Sequence, residues 1–167
     1  MQPYRFQVLG TKGMPEQWRA VGDPVMGGVS VSRMQPLDEH TSEFTGNVSL
    51  ANGGGFASVT FDLPQPLFLP GAQGLEVQAE ADGHHYKLGL RTHVERSAAV
   101  YQHPLALPAH GWQTLRLALS NFTARRRGQA LADAPPLAGS PIVAISLYIS
   151  GGQAGPFALK LRSIQVY

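Results

Sequence analysis

The sequence predicts an all-β chain, an antiparallel sandwich or barrel with little helix. Three observations carry that expectation. Apolar residues recur with period two in short stretches, and Gly, Pro, Asn and Asp separate those stretches. Charged residues make up only 14% of the 167 residues, while Gly reaches 19 and Pro 13. Soluble domains average roughly 25% charged residues, and long solvated helices would need more Glu, Lys and Arg than this. Turn formers in such number point to short strands joined tightly. A chain of this length suits one domain, 1–167, and can bury a real core.

The strands follow in order. Val29–Arg33 and Phe44–Leu50 read as the first two. Asn52-Gly53-Gly54-Gly55 then breaks the chain before Phe56–Leu63, where Ala57, Val59, Phe61 and Leu63 share a face. Gly74–Ala81 alternates Leu75, Val77, Ala79 and Ala81 with Glu76, Gln78 and Glu80. Asp82-Gly83 supplies a tight turn of the hairpin kind, and the return strand runs His84–His93. Its Tyr86, Leu88 and Leu90 face one way, and His85, Lys87, Arg91 and His93 the other.

Ala98–His103, Trp112–Leu119, Ile142–Ile149 and Phe157–Val166 complete the set. In the last, Phe157, Leu159 and Leu161 share one parity and Ile164 and Val166 the other, so a bulge near Arg162-Ser163 is expected. Ser120–Ala134, capped by Ser120 or Asn121 and stopped by Pro135-Pro136, is the one segment able to hold a helix of any length.

Several function classes are excluded or disfavoured. The chain has no cysteine, which removes disulfides, thiol catalysis and thiolate zinc sites. No apolar run approaches the ~18–20 residues of a membrane helix. Met1-Gln2-Pro3-Tyr4-Arg5 has neither the apolar core of a signal peptide nor the character of a transit peptide, so a cytoplasmic location and no membrane insertion are expected. A net charge of +2 and a single basic run, Arg125-Arg126-Arg127, fall short of a nucleic-acid footprint. The eleven acids are scattered and no nucleophile elbow is present, so no enzyme is expected.

His84 and His85 point to opposite faces of a strand and cannot share an ion. A structural calcium is the one ion left open, but no Asp/Asn/Glu cluster gathers the oxygens it would need, so no cofactor is expected.

Several segments, taken together, resemble the complex I intermediate-associated protein 30 family. They are Trp18 and Asp23 with Val25-Met26-Gly27-Gly28-Val29-Ser30, then Phe44-Thr45-Gly46 with Val48-Ser49-Leu50, and Gly54-Gly55-Phe56-Ala57-Ser58. Asp82-Gly83-His84-His85-Tyr86-Lys87-Leu88 follows, and Trp112, Phe122 and Gly155-Pro156-Phe157-Ala158-Leu159 complete the match. The resemblance implies a galactose-binding-like jelly-roll sandwich related to carbohydrate-binding modules. It also implies a non-enzymatic role as a complex-assembly or chaperone-like factor with a protein partner.

Two surfaces are candidates for contact. The first is the strand face of His85, Lys87, Arg91 and His93, which Tyr101 and His103 on the next strand would extend. The second is the loop holding Asp23, Met26 and Ser30, whose Gly and Pro residues also suit a shaped turn feeding a core strand. The alternative reading is a carbohydrate-binding module on the same strand face, with Tyr101 or Trp112 as the stacking ring. An enzyme drawing on Asp23, His85 or His103 is the weakest reading.

Overall fold

The structure is a computed structural model that describes residues 18–22, 30–51, 55–68, 71–92, 99–126, 129–137 and 140–167. Among the described residues, twelve strands form two antiparallel sheets. They are β1 (Trp18–Gly22), β2 (Val31–Pro36), β3 (Ser42–Val48), β4 (Ala57–Leu67), β5 (Gly74–Glu80) and β6 (Tyr86–Arg91). β7 (Val100–Leu105), β8 (Gln113–Ala118), β9 (Thr123–Arg126), β10 (Gln129–Ala130), β11 (Ile142–Ile149) and β12 (Gly155–Val166) follow. The larger sheet has the order β1-β4-β11-β6-β7-β9-β10 and the smaller the order β2-β3-β12-β5-β8. The molecule is a jelly-roll sandwich.

The period-two stretches form strands because one face of each can be buried. Leu75, Val77 and Ala79 of β5 face Tyr86, Leu88 and Leu90 of β6 across the core, and all are at most 2% exposed. Ile145, Leu147 and Ile149 lie beside Phe61, Val59 and Ala57 in register and are fully buried. The expected bulge is present: the β12–β5 register shifts between Leu161 and Ser163. It turns Leu159, Leu161 and Ile164 all to the interior, where each is fully buried.

Two expectations are corrected. The described residues of Ser120–Ala134 hold no α-helix. They contain the end of a 3-10 turn, Leu119–Asn121, and then the short hairpin β9–β10. Phe122 and Ala124 are buried there, so tertiary packing outweighs the helix-forming Ala and Arg content. Asp82-Gly83 is also no hairpin turn. β5 and β6 belong to different sheets, and Gly83, at φ +94°, lets the chain cross between them.

That alternation between sheets gathers connections at one end. β1, β3, β5, β7 and β11 finish there, and β2, β4, β6, β8 and β12 begin there. Gly46 of β3 shows how tightly the strands sit. A Cβ on it would collide with the carbonyl oxygen of Val31 and stand 2.8 Å from Ser32 Cα, both backbone atoms of β2. Gly46→Ala is therefore expected to lower stability by about 2–3 kcal/mol or more through strand displacement. Urea titration followed by tryptophan fluorescence measures it, and an unchanged midpoint would contradict this account.

Candidate functional site

The outward face of the larger sheet can be laid out from its register. A central row runs across the strands through Thr60, Ser146, Gly89, Gln102 and Thr123. One flanking row holds Asp62, Ala144, Arg91, Val100 and Arg125, and the other Ser58, Tyr148, Lys87 and Pro104. Thr60 and Ser146 share a hydrogen bond of 2.8 Å and are 4% and 0% exposed. The row is low because its side chains are short. Over Gly89 lies the ring of Tyr148: a Cβ on that glycine would stand 2.6 Å from Tyr148 Cε2 and 3.2 Å from its hydroxyl.

Lys87 and Arg91 flank this ring on β6, both half-buried. Neither has a carboxylate partner among the described residues. An ion pair on this face joins Arg19 Nε to Asp62 at 2.8 Å. Among the described residues no group of three or more His, Asp and Glu gathers for a metal.

The outward face of the smaller sheet is built differently, because it sets carboxylates among its cations. Lys160 lies 3.6 Å from Glu80, and Arg116 lies 3.2 Å from Glu76, which also accepts from Gln165 at 2.7 Å. Gln35 donates to Glu43 at 2.8 Å. Arg162 stacks 4.0 Å over Trp112, so that ring is covered rather than open.

The structure brings together only part of the set expected from sequence. Lys87 and Arg91 share the outward face as expected, and His85 stands exposed just before β6. The backbone of His85 is held by Gln153, whose side chain accepts at 2.7 Å and donates at 2.9 Å. Tyr101 and His103 do not extend this face. Tyr101 pairs with Leu90 and His103 with Leu88, which turns both inward.

The Tyr101 hydroxyl donates to the carbonyl of Pro135, and burial raises its pKa. The His103 ring packs edge-on to Phe122 at 5.3 Å. Tyr101 also lines a cleft of about 430 Å³ with Leu119, Phe122, Leu131 and Leu137. Ser30 is buried and locked to Ser49, accepting its amide at 2.9 Å and donating to its carbonyl at 3.2 Å. His93, Asp23 and Met26 lie outside the described residues. Tyr148 and Gln102 are the residues that sequence reading missed. The signal for them was the strand parity of Ile145, Leu147 and Ile149, which leaves Tyr148 facing outward.

A family model described as Complex I intermediate-associated protein 30 matches residues 8–161. The chain belongs to this family. Among solved structures it is similar to the family 11 carbohydrate-binding module of cellulosomal cellulase Lic26A-Cel5E of Clostridium thermocellum. That match has 12% identity over 98% of this chain and 96% of that one, with a TM-score of 0.65. The family 11 module from Clostridium thermocellum in complex with a β-1,3-1,4-mixed-linked tetrasaccharide matches at 13% identity, over 90% and 88%, with a TM-score of 0.61. A family 30 carbohydrate-binding module matches at 11% over 100% and 99%, with a TM-score of 0.58. Identities this low speak for a shared galactose-binding-like fold. None of the curated protein sequences matches.

Among the described residues, the blocks Val48–Leu50, 55–58, Asp82–Leu88 and Gly155–Leu159, which carry part of the likeness to the complex I intermediate-associated protein 30 family, lie at the end of the sandwich where the crossings gather. Asp82 joins two of them. Its carboxylate accepts from the Tyr86 hydroxyl at 2.8 Å and from the amides of Ala158 at 2.7 Å and His84 at 3.2 Å. His84 Nδ1 stands 3.0 Å away but off the line of a good hydrogen bond. Burial pushes the Asp82 carboxyl upward, yet the bonds from Ala158, Tyr86 and His84 outweigh it and hold the pKa below its ordinary value. Burial, then the hydrogen bond to Asp82 and after it the Asp82 charge, push the Tyr86 phenol well up.

A depressed folded-state pKa stabilises the fold above the ordinary carboxylate value of 3.8 and is lost as pH falls through the lower folded value. Asp82→Asn is expected to cost roughly 1–3 kcal/mol at neutral pH. The gap to wild type should hold down to about pH 5 and narrow below about pH 4. Denaturant midpoints at several pH values check it; a gap that widens in acid would refute the assignment.

Proposed function

We propose that the chain is a non-catalytic binding module that grips a protein partner through the outward face of the larger sheet, as an assembly or chaperone-like factor. Membership of the complex I intermediate-associated protein 30 family supports the protein-partner reading. The observation that carries the choice of face is its charge: Lys87 and Arg91 stand without described carboxylate partners around Tyr148, whereas on the opposite face Arg116 and Lys160 lie beside Glu76 and Glu80. Unpaired cations beside an amphipathic ring favour an acidic surface, because complementary charge steers encounter and fixes register.

One observation favours a second reading. The Tyr148 ring over Gly89, beside the amide of Gln102, is the kind of aromatic platform on which a sugar ring can stack. The complex of the similar family 11 module with a mixed-linked tetrasaccharide supports that alternative. The two readings differ in salt dependence, since charge pairing is screened while stacking is not.

Affinity capture with the intact protein, followed by titration of the purified partner, tests both. Lys87→Gln with Arg91→Gln should weaken the partner about tenfold, and added salt should weaken the wild type likewise. Lys160→Gln on the opposite face should change nothing. If no captured protein depends on Lys87 and Arg91, while β-1,3-1,4-glucan binds with a salt-independent affinity lost in Tyr148→Ala, the saccharide reading replaces the first.

A further inference from the structure

We infer that the free edge of β8 accepts an extended, acid-bearing segment of a partner protein as an added strand of the smaller sheet. Among the described elements the other sheet edges are closed to such an addition. β10 is two residues long, β1 lies against β2, and β2 is packed on β1 and β4 and ends in Pro36. β8 has none of these devices. It is six residues long without Pro, pairs with β5 in unbroken register, and among the described elements packs substantially on β5 alone. Gln113, Thr114 and Arg116 are exposed. An edge of this kind is a template for strand pairing.

The ladder fixes which backbone groups are free. Gly74 exchanges hydrogen bonds with Tyr167 at 3.3 and 3.0 Å, so its polar groups face β12. Alternation along β5 then turns those of Leu75, Val77 and Ala79 toward β8. Their partners Leu117, Leu115 and Gln113 are thereby used up, and the bond from Leu119 N to Gln73 O at 2.9 Å continues the same phase. The N–H and C=O groups of Thr114 and Arg116 point away from the sheet.

Side chains set the partner's chemistry. Leu115 and Leu117 turn toward the core, Thr114 and Arg116 outward. A strand that continues the pattern puts apolar residues beside the leucines and an acid beside Arg116, as β5 does with Val77, Leu75 and Glu76. Arg116 gives Glu76 its Nε and lies 4.8 Å over the Tyr167 ring; its side chain is still 66% exposed, and the edges of its terminal guanidinium nitrogens are left for a second carboxylate. A second copy of the chain fits less well. The two-fold register that engages Thr114, Arg116 and Ala118 together sets Arg116 opposite Arg116, and like charges directly opposite destabilise a pair.

This edge belongs to the sheet opposite Lys87 and Arg91, so it stands or falls apart from the face proposed above. The test uses the full-length protein and a synthetic peptide with the sequence of residues 74–80, read by amide hydrogen exchange. In the free protein the Thr114 and Arg116 amides should exchange fast and those of Leu115 and Leu117 slowly. Saturating peptide should slow Thr114 and Arg116 about tenfold or more. Changing the peptide residue that corresponds to Glu76 to Lys should weaken binding about fivefold.

Thr114→Pro removes an outward N–H without breaking a bond to β5 and should abolish the protection. Should that variant unfold, a peptide N-methylated at the residues facing β8 gives the same loss with the wild-type protein. Unchanged exchange at Thr114 and Arg116 under millimolar peptide overturns the inference. So does a peptide-independent dimer in sedimentation that Thr114→Pro dissolves, which assigns the edge to a second copy.

Discussion

The carboxylate of Asp82 sits where the chain leaves one sheet for the other, and the alignment of the two sheets at that end depends on it. Tyr86, at 2% exposure, is the first residue of β6 and carries a hydroxyl into the interior. A buried hydroxyl without a partner would cost on the order of 1–3 kcal/mol, and Asp82 supplies that partner. Its other oxygen takes the Ala158 amide, between Phe157 and Leu159 of β12. One side chain therefore ties the start of a strand in the larger sheet to the middle of the smaller one. The Tyr86 ring meets Phe44 at 6.2 Å and Phe157 at 6.3 Å, and Phe44 meets Phe157 at 4.9 Å. Edge-to-face contacts of this kind are directional, so a shift of β6 would disturb all three rings.

Placing β6 also places the candidate face. Lys87, Gly89 and Arg91 alternate with Tyr86, Leu88 and Leu90, so the bonds that bury the second set present the first. Tyr148 reaches its position because Gly89 leaves room for its ring. The arrangement asks for a small residue at 89 and an aromatic at 148. Those positions are set by the β11–β6 register, not by sequence proximity.

Much of this was legible from residue alternation. Leu75, Val77 and Ala79, and the parity change after Leu161, specify strands and a bulge because only one register buries each set. The membership of strands in sheets was not legible. Asp82-Gly83 looks the same whether the chain reverses within a sheet or crosses between sheets; the side-chain bonds of Asp82 decide it. β9 and β10 escaped because Ala124 is a single inward residue in a stretch too short to show a period. Tyr101 and His103 were added to the outward face because their strand follows β6 and lies beside it, which leaves their parity open. Leu105, of the same parity and 5% exposed, was the better guide: an aliphatic residue fixes the phase of a strand, while a Tyr or His at a sheet margin can sit inward with its polar end satisfied.

The scarcity of charge gives the contrast between the two outward faces its meaning. In a chain with many Lys and Glu residues, an unpaired cation is the ordinary condition of a solvated surface, and surface ion pairs themselves contribute little stability. Here charged residues are 14% of the chain, and on the smaller sheet Arg116 and Lys160 lie beside Glu76 and Glu80, Arg33 beside the amide of Gln35 and Arg162 over Trp112. That pairing offsets part of the field of the smaller sheet's face. On the larger sheet, two cations four residues apart on one strand stand about 13 Å from each other, with a ring and a floor of small hydroxyl residues between them. Their fields add over that span instead of cancelling, so the electrostatic asymmetry of the molecule is a property of its fold: the register that buries Leu88 and Leu90 separates these charges from every described carboxylate.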